Sequence, residues 1–121
     1  MNFKFQIDNS IGLLKESFVG TMCPNSITEA NEAIIQHPDF RNGLNFLTDL
    51  SNAKIPFNFE EMLSHVSSIP SLQINRQAFI VDKDREYGMV RMFLVLAENK
   101  GIFNEGNVFR SLEEGLQWLT S

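Results

Sequence analysis

Gln77-Ala78-Phe79-Ile80-Val81 is apolar without alternation from Ala78 onward, and Asp84 then caps a run with helical character to about Asn99. A short continuous apolar run reads as a strand covered on both faces. Asn107-Val108-Phe109-Arg110 follows as a further short strand. Strand, long helix, strand is a crossover unit; it makes the two strands parallel and the fold α/β.

The pattern extends toward the N-terminus. Leu44 to Leu50 is a strand, and Asn58-Phe59-Glu60-Glu61 opens a helix, Asn58 capping it, that runs to about Ile69 before Pro70. Ser26-Ile27-Thr28-Glu29 has the form of a capping box with Ser26 as cap. Ala30, Ala33 and Ile34 give that helix its apolar stripe, and His37-Pro38 ends it. Phe3, Phe5 and Ile7 alternate with polar residues, Asp8-Asn9-Ser10 supplies a turn, and Ile11 to Val19 returns as a second strand. Ser111-Leu112-Glu113-Glu114 is another capping box, opening a C-terminal helix. The expectation is one α/β domain over residues 1–121. It has a mixed sheet of about five strands, an N-terminal hairpin followed by βαβ units, and about four helices.

At 121 residues the chain supports one hydrophobic core. Its aromatic content is skewed, with eleven Phe against one Trp and one Tyr. Seven of the rings fall on strands or on the long helix, whereas Phe40, Phe57, Phe59 and Phe103 read as loop or helix-end residues. The net charge is −5, with the basic residues scattered singly. Nucleic acids and anionic membrane surfaces both require clustered Lys and Arg, so neither is an expected partner. Cys23 is alone, which leaves no intramolecular disulfide. Met1 to Asp8 alternates polar and apolar, so a signal peptide is not expected there, and no apolar run approaches the ~20 residues of a membrane span. A cytoplasmic location is expected.

The inventory for catalysis is thin. There is no G-x-S-x-G elbow, P-loop or G-x-G-x-x-G, and neither His37 nor His65 has a Ser or Cys motif beside it. An inert Cys23 thiol is expected, and no catalytic residue or cofactor is assigned. Asp49, Asp82 and Asp84 fall at or just beyond strand ends, where converging carboxylates can hold Mg²⁺. Helix caps and strand-end turns account for the same residues, and no metal is assigned.

Two segments stand out instead. The connector Lys54-Ile55-Pro56-Phe57-Asn58-Phe59 is apolar where loops are usually polar. Phe57 stapled onto Met62 would explain one ring; the alternative is an apolar rim formed by Ile55, Phe57 and Phe59 for a ligand or a protein partner. From Met89 to Ala97 only Arg91 is polar, more apolar surface than one buried stripe uses. The surplus suits dimerisation or a greasy ligand, with Met89 and Met92 as adaptable contacts. Arg91 either snorkels to water or clamps a carboxylate or phosphate headgroup.

Leu47-Thr48-Asp49-Leu50-Ser51, preceded by a hairpin and a helix and followed by a helix start some seven residues on, resembles the STAS domains of sulfate transporters and anti-sigma factor antagonists. Tyr87-Gly88-Met89-Val90-Arg91-Met92-Phe93, then Val108-Phe109-Arg110-Ser111-Leu112-Glu113-Glu114 and Trp118-Leu119, sharpen the resemblance to the SpoIIAA-like family. That family shares its fold type with the CRAL-TRIO lipid carriers. The resemblance spans roughly Phe3 to Leu119. It implies a STAS-like, non-catalytic regulatory module that works through protein–protein contacts. Phosphoregulated STAS antagonists carry a Ser at the start of the helix after the Asp-Leu strand; here Asn58 and Phe59 stand there, and neither accepts a phosphate. The resulting reading is a homodimeric binding module acting through Ile55, Phe57, Phe59, Met89, Arg91 and Met92. A carrier or sensor of a small apolar, lipid-like ligand beside the long helix is the alternative.

Overall fold

A computed structural model describes residues 2–56, 58–66 and 69–121. Strands β1 (Asn2–Asp8) and β2 (Leu13–Thr21) form an antiparallel hairpin. Helix α1 (Ser26–Ile35) leads to β3 (Asn45–Asp49), a two-residue β4 (Ala53–Lys54) and α2 (Phe59–Val66). Strand β5 (Ile74–Ile80), helix α3 (Asp84–Lys100), strand β6 (Phe103–Phe109) and helix α4 (Leu112–Leu119) complete the chain. The sheet order is β1-β2-β3-β5-β6, with β4 pairing β2. Every pairing beyond the hairpin is parallel. The expected α/β class, mixed sheet and four helices are all present.

Side-chain alternation divides the sheet into two faces. Leu14, Glu16 and Phe18 of β2 share a face with Phe46 and Thr48 of β3 and with Gln77 and Phe79 of β5. The larger core lies there, closed by Ala30 and Ile34 from α1, Met62 and Val66 from α2, and Val90, Phe93 and Ala97 from α3. The opposite face carries a smaller cluster, in which Leu13, Leu47, Ala78 and Ile80 meet Leu119 of α4. β5 is buried from Gln77 through Ile80, as its unbroken apolar run requires. Helix α4 sits close to the sheet because Gly115 has no Cβ; one placed there would lie 2.5 Å from Ile80 Cδ1.

Several local expectations are corrected. The second strand starts at Leu13 rather than Ile11, because Gly12 adopts φ +63° and leaves Ile11 exposed in the turn. It also continues to Thr21, since Gly20 and Thr21 pair with β4. Ser26 does not cap α1: it is the first helical residue, and its Oγ accepts from Cys23 N at 2.8 Å. Asn25 precedes the helix and reaches Glu29 Oε1 with its amide at 3.0 Å. Ala33 is exposed, and the buried stripe of α1 consists of Ser26, Ala30, Asn31 and Ile34. Asp84 is likewise inside α3, not its cap. α2 is described over Phe59–Val66, and residues 67–68, just before its expected end near Ile69, lie outside the described residues. β6 starts at Phe103, four residues before the expected strand, and this ring is buried in the core. Asn58 and Ser111 do cap their helices: Asn58 Oδ1 accepts from Glu61 N at 2.9 Å, and Ser111 Oγ accepts from Glu114 N at 3.3 Å.

Candidate functional site

The six residues singled out from the sequence separate into an inward and an outward set. Ile55 follows β4 and is buried, while Met89 on α3 is half-buried and faces the same apolar void as Ile55. Arg85 holds this junction: its Nη1 donates to Ile55 O and pairs with the buried Glu86 carboxylate at 2.7 Å. Phe57 lies outside the described residues, and with it the staple onto Met62. Phe59 opens α2, but its side chain also lies outside the description. Arg91 and Met92 are exposed on the outer surface of α3.

Helical spacing explains this division. Glu86, Val90, Phe93 and Ala97 form the buried stripe of α3 at i, i+4, i+7 and i+11. Gly88, Arg91, Met92 and Val95 form an exposed stripe at i, i+3, i+4 and i+7. Val95 is 62% exposed and Met92 37%, and on the neighbouring α2 Leu63 is 51% exposed. Arg91 shares this apolar outer face and forms no ion pair among the described residues.

Beneath the helices lies a polar row that the sequence reading did not single out. Thr48 donates its hydroxyl to Glu16 Oε2 at 2.6 Å and accepts from Gln77 Nε2 at 2.9 Å. All three residues are buried, Glu16 with 6% of its surface exposed. Glu16 Oε1 has no hydrogen-bond partner among the described residues. Burial pushes the carboxyl up from 4.5 to about 7, and the Thr48 hydrogen bond only partly offsets this. Strand parity carried the signal: Glu16 stands between Leu14 and Phe18 on the core face, and Thr48 between Phe46 and Leu50.

Glu16, Asn31, Thr48 and Gln77 line one end of a void of about 20 Å³ between the sheet and α1 and α3. A second void of about 30 Å³ adjoins it, lined entirely by apolar residues that include Ile55, Met62, Met89 and Val90. Met22, Ile27, Leu50, Phe79 and Phe93 line both voids. On the opposite side of the sheet, where α4 leaves β1 and β2 uncovered, Lys4, Gln6, Lys15, Ser17 and Asp49 line an open trough of about 270 Å³.

Two of the three carboxylates expected at strand ends are engaged within the protein. Asp49 Oδ1 accepts from Ser51 N at 3.0 Å, and Asp84 pairs with Arg110 at 2.8 Å. Arg110 also lies 4.3 Å over the Tyr87 ring and so joins the end of β6 to the first turns of α3. Among the described residues no three His, Cys, Asp or Glu side chains are grouped to hold a metal ion. Among them, too, no helix is long and apolar enough to cross a membrane.

This architecture defines the chain as a protein with a SpoIIAA-like fold. Among solved structures it is similar to the crystal structure of an uncharacterized protein from the DUF3478 family, with a SpoIIAA-like fold, from Shewanella loihica. The two superpose with a TM-score of 0.60 at 15% sequence identity, over 97% of this chain and 93% of that one. At that identity the likeness establishes the fold alone. No protein-family model matches the chain, and no curated protein matches it.

Proposed function

We propose that this protein is a non-catalytic binding module that works through protein–protein contacts and pairs with a second copy of itself. One observation carries the reading: α3 presents Met92 and Val95 to solvent beside Arg91, on a helix whose opposite stripe is already spent on the core. Apolar side chains aligned at helical spacing on an outer face lose water when a partner covers them. Arg91 on the same face offers a planar donor to a partner's carboxylate or carbonyl groups. Sedimentation velocity tests this. The protein sediments as a dimer at micromolar concentration, and Val95→Glu with Met92→Glu converts it to a folded monomer. An unaltered dimer in the double variant removes α3 from the interface.

A second reading, a carrier or sensor of a small apolar molecule, is favoured by the paired voids behind Ile55 and Met89. Size ranks it second. Voids of about 20 and 30 Å³ admit a ligand only as their walls yield, whereas the α3 face is available as it stands.

A further inference from the structure

The polar row under α1 gives the paired voids an orientation that their volume alone does not. Glu16, Thr48 and Gln77 form a directional chain in which Gln77 donates to Thr48 and Thr48 donates to Glu16 Oε2. The chain ends on the Glu16 carboxyl, whose Oε1 is buried with no partner among the described residues, and Glu16 is one of the residues that line the first void. Buried carboxylate oxygens are ordinarily hydrogen-bonded, so an orphan on a residue that lines a cavity favours a guest with a donor. The adjoining void is entirely apolar, and three unbranched methionines, Met22, Met62 and Met89, line it. Their thioether chains change rotamer readily and can re-pack around a guest.

We infer that the two voids form one internal slot for a short, unbranched amphipathic molecule, with Glu16 Oε1 receiving a hydroxyl or ammonium donor at its head and the methionines enclosing its alkyl tail. This rests on the ligand-carrier reading above and adds to it the chemistry of the headgroup. Recognition follows from the cost of mismatch: an apolar molecule of equal size leaves Glu16 Oε1 unpaired, and a donor-headed one satisfies it.

The methionine methyl groups provide the readout in the intact protein. Met22, Met62 and Met89 line the slot, and Met92 on the outer face of α3 is the internal control. With ¹³C-methyl methionine at pH 9, where Glu16 is ionised and Oε1 is an acceptor only, titration with 1-butanol shifts the three slot methyls and leaves Met92 unmoved. Methyl propyl ether has the same atoms but no donor, and binds about tenfold more weakly. Glu16→Leu abolishes the preference. Equal binding of alcohol and ether by the natural protein overturns the donor site while leaving an apolar slot in place. No movement of the three slot methyls with either compound overturns both the slot and its headgroup. The alcohol–ether comparison needs no variant, so it decides the matter even where Glu16→Leu fails to fold.

Discussion

Thr48 Oγ1 lies 2.6 Å from Glu16 Oε2, joining neighbouring parallel strands through a hydrogen bond buried in the main core. Thr48 has only one hydroxyl proton, so this bond satisfies a single carboxylate oxygen and leaves the carboxyl short of full compensation for lost water.

That shortfall makes stability depend on pH. Burial raises the Glu16 carboxyl from 4.5 to about 7, so between these values the folded chain holds a proton that the unfolded chain has released. The contribution is fully present below pH 4.5 and is lost as pH rises through about 7. Its size is about 3 kcal/mol. Urea denaturation from pH 4.5 to 8 reads this as a falling midpoint, and Glu16→Gln flattens the profile over the same window. Parallel profiles for the two proteins contradict the assignment.

Close approach of α4 to the sheet depends on Gly115. A larger side chain there meets Ile80 and Leu47. Gly115→Leu therefore destabilises by about 1–3 kcal/mol, as overpacking does, despite the gain in helix propensity. A urea midpoint at or above that of the natural protein would show that α4 is free to lift away.

Asn58 begins α2 with reciprocal bonds to Glu61: Oδ1 accepts from Glu61 N, and Asn58 N donates to Glu61 Oε1 at 3.2 Å. Asn58→Ala removes one half of this box and costs about 1 kcal/mol. Asn58→Asp retains the acceptor and costs less, which the same denaturation experiment resolves.

Ile55 is buried in the core although it stands in an apolar connector. Ile55→Ala should cost about 2–5 kcal/mol, the range for emptying a packed site. A change below 0.5 kcal/mol, typical of surface positions, would place it outside the core.

These residues also show what could be read from the chain and what could not. The hairpin, the crossover through α3 and the Asn58 and Ser111 caps were legible because each has a local periodic or capping signature. β4 was not: two residues carry no period, and Ala53 and Lys54 are a strand only because Gly20 and Thr21 come alongside. Ser26 has the pattern of a cap but spends its hydroxyl on Cys23 N, a choice made by the approach of the preceding turn. Phe103 read as a loop ring because Asn104, Glu105 and Asn107 make the edge strand β6 look polar. In the candidate site, the helical spacing of α3 placed an excess of apolar residues, but not which of Met89 and Met92 faced inward. Glu16 was hidden by the ordinary expectation that a charged strand residue faces water, although its parity with Leu14 and Phe18 points inward.

Native mass spectrometry of the natural protein and of Val95→Glu, at the same micromolar concentration, reads self-association through α3. The natural chain is expected as a dimer of about 27.6 kDa, twice 13.8 kDa, and the variant as a monomer. A natural protein that is monomeric under those conditions contradicts self-association through α3.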